Sequence, residues 1–267
     1  MLMGPSRKVQ IVQAIISSGL SANKPVHFFD CNIHAREWIT AATCVWIIDQ
    51  ITTGYGSYPE ITSLVDQYDW KFVPIANPDG YAYTWNTDRN WRKNRLVNNE
   101  STCVGVDANR NFPIGFAGSG SSSDPCSGTY HGIAAFSERE ASAFRDLIAA
   151  DRGRVKTTIS HMHSYSQMFL SPYGYTTDLP AEYPEMFRAM EIAVNALTST
   201  YGTPYTYGNT AVTICKFITF SLRFHHRPAG KLRALLPSCY RHRELQWHLV
   251  TPRIITTRTK GLFIHTL

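Results

Sequence analysis

At 267 residues, with 43% hydrophobic and 12% aromatic residues, the chain can bury a sizeable core, which excludes disordered and low-complexity classes. No apolar run approaches the roughly 20 residues needed to span a bilayer, which excludes a helical membrane protein. The formal charge of +6 is confined to one end: residues 216–267 hold ten Lys and Arg against the single acid Glu244, a local +9, while residues 1–215 hold 16 basic and 19 acidic residues, a local −3, so the basic charge belongs to the tail and says little about the partners of the domain that precedes it.

The chain opens with a basic and then an apolar stretch, interrupted by Gln10, Gln13 and serines, a pattern expected of a truncated N-terminus rather than of a signal peptide. Residues 26–30, Val-His-Phe-Phe-Asp, read as a buried strand entering a turn at residues 31–34. A helix follows over about 36–53, with Trp38, Ala41, Ala42, Val45, Trp46 and Ile48 at mainly helical spacing. Residues 70–75 read as a second strand, closed by the turn signal Asn77-Pro78-Asp79-Gly80. From Thr84 to Gly128 the polar, Gly/Ser/Asn-rich sequence reads as long surface loops, which in a compact domain are often functional. Ser137 and Glu140 have capping-box spacing and predict a helix running to about Ala150. A strand over 155–162 and a helix over about 182–199 complete an α/β pattern: a central mixed sheet flanked by helices on both faces.

Six cysteines include no CxxC pair, which argues against a thiolate metal site. Cys31 and Cys44 lie across a strand-to-helix turn, and Cys103 and Cys126 flank a Gly/Ser-rich loop. Disulfides are the better reading of both spacings and imply an oxidising compartment. Cys215 and Cys239 have no evident role.

His34 and Glu37 stand three residues apart where a strand gives way to a helix, so both side chains can converge on one cation. Ten His and nine Glu make about 0.3 such pairs by chance, so a third ligand is needed. His161 and His163 end a strand, two apart and therefore on one face, and either could supply it; a hydrogen-bonded structural histidine is the plain alternative for each. Two imidazoles and one carboxylate, with a fourth position open to water, form a catalytic rather than a structural zinc set.

Five motifs stand in order and at suitable intervals: residues 34–39 (HAREWI), 77–80 (NPDG), 91–95 (WRKNR), 105–111 (GVDANRN) and 163–167 (HSYSQ). Together they closely resemble the zinc metallocarboxypeptidases of the A/B type, over about residues 25–215. The resemblance implies the zinc carboxypeptidase fold and one Zn²⁺ per chain, held by His34, Glu37 and His163, and it selects His163 over His161. It implies that Asn109 and Arg110 grip the terminal carboxylate, for which a planar guanidinium is suited. Arg92 would stabilise the oxyanion, Arg36 and Tyr165 would line the next subsite, and Asp107 would orient His34. Leu170 and Gly174 match the pocket wall of the A-type enzymes, which take apolar or aromatic terminal residues. The family also supports the Cys31–Cys44 and Cys103–Cys126 pairings, and with them an extracellular location. The implied partners are peptide or protein C-termini, with no nucleic acid and no membrane, and the chain reads as a monomer.

The resemblance weakens after residue 214. The family continues through a loop carrying a mobile substrate-binding tyrosine, roughly 16 residues that are missing here where a lid would close. It then has a strand bearing a glutamate general base. Residues 218–224 resemble that strand with Ser221 at the glutamate position, and Glu244 lies outside the matching motif. The expected division is therefore an N-terminal remnant (1–25), a catalytic domain (26–215) incomplete at its C-terminal end, and a divergent basic tail (216–267) with a weak family echo over 216–238. The implied function is release of C-terminal residues from peptides, impaired by the missing base. A zinc-containing pseudoenzyme that binds C-termini without cutting them is the alternative, and an incomplete product without a stable fold is a third.

Overall fold

A computed structural model of the chain describes residues 11–99 and 101–214. The expectations for Ser221, Glu244, Cys215, Cys239, the basic tail and the family echo at 216–238 fall outside those residues, as do residues 1–10 of the N-terminal remnant.

The strand β2 (Val26–Cys31) organises the fold. All six of its residues are buried, His27 and Asp30 included, as expected of a strand covered on both faces. It pairs in parallel with β3 (Asp69–Val73) on one side and β4 (Val155–Met162) on the other, and β1 (Ala14–Ile16) runs antiparallel against β3. The order β1-β3-β2-β4 makes a mixed sheet, as expected.

Alternation along β2 sends its side chains to two cores. Phe29 and Cys31, with Trp70 and Phe72 of β3, pack against Cys44, Ile47 and Ile51 of α1 (Trp38–Gly54) and Val65 of α2 (Pro59–Gln67). Phe28 and Val73 face the opposite way and meet Phe144. That residue belongs to a helix on the second face, Arg139–Ala150. Helices therefore cover both faces. With each fully buried Phe worth about 2–3 kcal/mol of transfer free energy, the two aromatic layers on β2 anchor the domain.

Two helix starts differ from the sequence reading. Asn77-Pro78-Asp79-Gly80 opens a helix, α3 (Pro78–Asn86), instead of closing a strand with a simple turn. Asn77 is its N-cap, accepting from the Gly80 amide at 3.0 Å, and Pro78 occupies the first turn, where its missing N–H costs nothing. The capping box at Ser137 does not form. The helix Arg139–Ala150, α4, is preceded by Glu138 and has no side-chain cap. The Ser137 hydroxyl donates to Glu138 Oε1 at 2.8 Å, and both Glu138 and Glu140 are recruited by the Asn94 amide, at 2.6 and 3.0 Å. A long-range partner outcompetes the local one.

After β4 the chain builds a second unit. Strands β5 (Met168–Ser171) and β6 (Thr206–Asn209) pair in parallel, and α5 (Tyr183–Tyr201), closed by Gly202 at φ 74°, packs on them through Met186, Ala189, Met190 and Val194.

Cys103 and Cys126 are disulfide-bonded, their Cα atoms 5.1 Å apart. The Cys31–Cys44 pairing is corrected: both are free, buried thiols. Burial, and then the hydrogen-bonded Cys44 thiol beside it, push the Cys31 thiol well above its ordinary value. The pair packs between β2 and α1 as small apolar groups. No helix among the described residues is long and apolar enough to cross a membrane.

One β2 side chain makes the fold acid-sensitive. His27 is 1% exposed, with its ring 4.5 Å from Tyr68 and 5.0 Å from Trp70. Burial lowers its pKa to about 4. The unfolded chain therefore binds the proton more readily, and stability falls as pH drops from about 6.5 through 4, by on the order of 2–3 kcal/mol. Urea unfolding of His27→Phe is expected to lose this part of the pH slope; an unchanged slope would assign it elsewhere.

Candidate metal centre

The site forms where β2 and β4 end. Leaving β2, the chain turns at Asn32, which sits at φ 60°, a conformation Asn tolerates better than most residues. Its amide Nδ2 lies 3.3 Å from each of the carbonyls of His34, Ala35 and Glu37, and its backbone N–H donates to Thr40 Oγ1 at 3.0 Å. The turn is thus tied to α1, and the helix begins at Trp38, two residues later than its apolar spacing suggests. Glu37 precedes α1 but does not cap it; its carboxylate faces inward.

There Glu37 Oε1 lies 2.8 Å from His34 Nδ1, and Oε2 lies 2.9 Å from His163 Nδ1 and 3.2 Å from the Ser164 amide. The two imidazole rings are 4.6 Å apart, and one donor atom from each of His34, Glu37 and His163 falls within 4.8 Å of the others. Burial alone would raise the Glu37 pKa, but the two imidazoles outweigh it and hold the carboxyl well below its ordinary range.

Behind the donors runs a buried charge chain. His34 Nε2 lies 3.2 Å from Asp107 Oδ1, and Asp107 Oδ2 accepts from Arg92 Nε at 3.1 Å and Nη2 at 2.9 Å. Asp107 is 0% exposed. Burial opposes its charge, yet Arg92, His34 and Arg110 together hold it well below its ordinary value. For His34, burial and Arg92 act downward, and Glu37 and Asp107 more than reverse them, so its pKa is raised. The His34 imidazole thus has Nε2 toward the Asp107 carboxylate and Nδ1 toward the donor cluster.

The sequence left His161 and His163 open as ligands on one face. They part company. The β2–β4 register shifts between Phe29 and Cys31, His161 takes φ 63°, and β4 ends at Met162. This swings His161 onto the α4 side, where its ring nears Phe112 and Phe144 and its Nδ1 and backbone N–H meet Asp30 Oδ1 at 2.7 and 2.8 Å. His163, just past the strand, falls beside Glu37.

The other expected site residues are placed unequally. A short 3₁₀ turn, Ala108–Arg110, carries Asn109 and Arg110 next to Asp107, which accepts from the Asn109 amide at 3.0 Å. Arg110 is buried, with Nε donating to Gly120 O at 3.0 Å and Nη1 to Asn109 O at 3.1 Å. Arg36 lies exposed at the turn and Tyr165 is 87% exposed. Leu170 and Gly174 are buried in and just after β5, within the second unit. Sequence reading missed Asn32 and Asn94. Asn94 Oδ1 accepts from the Val106 amide at 2.7 Å, tying the segment of Arg92 to that of Asp107. Its only sequence signal is its place inside the 91–95 motif.

An orphaned atom tests whether a metal fits. Asn109 Nδ2 faces His163 Nε2 at 3.3 Å, while Asn109 Oδ1 is buried without a hydrogen-bond partner among the described residues. A His163 that gives its Nδ1 lone pair to a cation must carry its proton on Nε2. Turning the Asn109 amide over, which moves no heavy-atom position appreciably, sets Oδ1 opposite that proton. Two imidazoles and a carboxylate suit zinc. The residues fit the ion.

A family model described as zinc carboxypeptidase matches residues 6–230. Carboxypeptidase A1 of Sus scrofa is 42% identical over 228 residues, covering 81% of this chain and 54% of that protein. Carboxypeptidase B of Bos taurus is 41% identical over 228 residues, with the same coverage of 81% and 54%. Among solved structures, the crystal structure of thrombin activatable fibrinolysis inhibitor (TAFI) aligns with a TM-score of 0.73 at 37% identity, covering 76% of this chain and 51% of that one. The chain spans about half the length of the curated relatives it matches. With a family match over most of its length and a donor set that fits the family's metal, the chain belongs to the zinc carboxypeptidases.

Proposed function

We propose that the protein binds peptide and protein C-termini at a zinc centre held by His34, Glu37 and His163, with hydrolysis of the terminal peptide bond as the chemistry the site is built for. The observation that carries this reading is the convergence of those three donors in front of the Asp107–Arg92 pair. Zinc, when bound, supplies a Lewis acid and lowers the pKa of a coordinated water. Asp107 orients His34, and Arg92, held by Asp107 at one edge, offers charge to the oxygen of the scissile carbonyl. Asn109 and Arg110 grip the substrate's terminal carboxylate, and the turned Asn109 amide keeps its N–H groups for that contact. Arg36 and Tyr165 line the next subsite. Leu170 and Gly174 support an apolar or aromatic terminal residue; the A-type and B-type relatives are almost equally identical, so the preference rests on those two positions. The Cys103–Cys126 bond supports an extracellular protein.

We further infer that hydrolysis is impaired. Serine cannot serve as a general base near neutral pH, and that role is worth about 10²–10⁴ in rate, so Ser221 in place of the glutamate supports slow turnover. A non-catalytic binder of C-termini is the second reading, favoured by Glu244 being the only acid in residues 216–267.

Two measurements on the zinc-loaded full chain test this. An aryl-substituted succinate, with one carboxylate for the metal and one for Arg110, is expected to bind the wild type and to lose about 2–5 kcal/mol of affinity in Arg110→Ala. An unchanged dissociation constant removes Arg110 from carboxylate recognition. Turnover of a blocked dipeptide ending in Phe is expected at least about 100-fold below an intact relative, partly restored by Ser221→Glu. Turnover equal to an intact relative overturns the impairment and makes Glu244 the first residue to mutate. Undetectable turnover with tight succinate binding selects the non-catalytic reading.

A further inference from the structure

Beside Arg92 opens a cavity of ≈ 700 Å³, walled by Arg36, Arg92, Lys93 and Arg95, with Asp88 the one acid in its lining and the Cys103–Cys126 bond at its rim. Four cations against one carboxylate leave the wall at +3, or +2 once Asp107 is set against Arg92. Asp124, outside the lining, sets a further negative charge against Lys93, so among the described residues the surplus lies on Arg36 and Arg95. Arg95 is held by aromatic faces, its guanidinium carbon 3.7 Å from the centre of the Tyr83 ring and 4.5 Å from that of Trp91, which fixes its position without cancelling its charge. The Arg36 side chain has no hydrogen bond or ion pair among the described residues. Lys93 is 6% exposed and its ammonium meets a neutral partner, the Pro125 carbonyl, at 2.6 Å. Burial lowers the Lys93 pKa, and the pull of Asp107 and Asp124 does not fully reverse it. Asp88 is exposed, and its Oδ1 accepts from the Asn90 amide.

A guanidinium held on aromatic faces, with a second one, Arg36, on the same cavity wall, makes an anion site. Its position identifies the anion. The wall includes Arg92, the residue that touches the Asp107–His34 pair, and Arg36, which stands between the donors His34 and Glu37 in the chain, so the cavity adjoins the metal centre. We propose that this cavity binds an acidic side chain of the bound peptide, upstream of the terminal residue, with Arg95 as the charge that selects it. The proposal rests on the reading of the centre as a site for peptide C-termini, and it adds a substrate class: peptides carrying Asp or Glu shortly before their last residue.

The probes are N-acetyl hexapeptides ending in Phe, with one Glu placed second, third or fourth from the C-terminus, each beside its Gln counterpart and its C-terminal amide. Affinity for the zinc-loaded full chain is read by calorimetry. At one or more positions Glu is expected to bind at least about fivefold more tightly than Gln at low salt, the advantage shrinking as the Debye length falls to about 4 Å at 0.5 M salt. Arg95→Gln is expected to abolish the advantage while leaving the Gln peptides within about twofold, and Arg95→Lys to keep part of it. The salt series needs no variant and stands even if Arg95→Gln fails to fold. Equal binding of Glu and Gln at all three positions, with the amides much weaker than the free acids, overturns the acidic subsite and leaves the C-terminal reading intact. Amides that bind as well as the acids overturn the C-terminal reading and the subsite with it. A Glu advantage that survives Arg95→Gln overturns the role of Arg95.

Discussion

Alanine at His163 is expected to strip zinc from the folded chain, whereas alanine at His161 leaves it in place. The two histidines are two residues apart, so the contrast isolates geometry from composition. His163 Nδ1 stands 2.9 Å from Glu37 Oε2 in the donor cluster, and His161 is spent on Asp30. Removing a direct ligand should cost more than the 10–100-fold in metal affinity typical of outer partners, enough to empty the site during gel filtration. Metal analysis of the eluted protein, with circular dichroism to confirm the fold, reads the result. His161→Ala should instead lose stability, about 1–3 kcal/mol, because it leaves the Asp30 carboxylate, 1% exposed, short of a partner. Equal zinc loss in both variants would sink the ligand assignment.

The largest expected effect on the fold is at Asp107. Its buried carboxylate lies among three cationic groups, Arg92, His34 and Arg110. Asp107→Asn keeps the shape and removes the charge, leaving the guanidiniums uncompensated, which for a buried pair costs about 3–5 kcal/mol. The acid side of the stability curve carries a second signature. A carboxyl whose folded pKa is depressed contributes its stability in full above its unfolded value, near 3.8, and loses it as pH falls further toward the folded one. The variant is therefore expected to be weaker at neutral pH and to fall less steeply below about pH 4. Zinc affinity should drop as well, by about 10–100-fold, because His34 loses the acceptor that fixes its Nε2 proton. Urea midpoints at several pH values, with and without chelator, read both. A loss below about 1 kcal/mol would mean that the charge chain is not structural.

What the sequence made legible was whatever depends on near neighbours. The β2 strand, the Val155–Met162 strand and the periodicity of α5 were readable to within a residue or two. So was the His34–Glu37 pair, because a turn from strand to helix sets its geometry over three residues. What escaped depends on partners far along the chain. The expected capping box at Ser137 yields to Asn94, more than forty residues away. The same-face reading of His161 and His163 assumed a regular strand, and the register shift against β2 breaks it. Cys31 and Cys44 are spaced for a bond but pack as thiols in a core assembled from two helices and two strands. The β5–β6 unit escaped because four-residue strands carry too short a pattern to register. Resemblance to a family, rather than any local pattern, chose His163 and singled out Asp107, Asn109 and Arg110.

The spread of the donors along the chain also has a mechanical consequence. His34 and Glu37 belong to the first quarter of the polypeptide, while His163 lies 126 residues beyond Glu37. A cation shared by them is a clasp between two distant stretches of chain, closing a loop longer than many whole domains. In the unfolded polymer those stretches rarely meet, so binding belongs to the folded state and its free energy adds to folding: about 4 kcal/mol when free zinc stands at 1,000 times the dissociation constant. Zinc supply therefore governs how firmly β2 and β4 stay docked at their C-terminal ends. Scarce zinc would therefore lengthen the exposure of these strand ends to proteases as well as remove the chemistry.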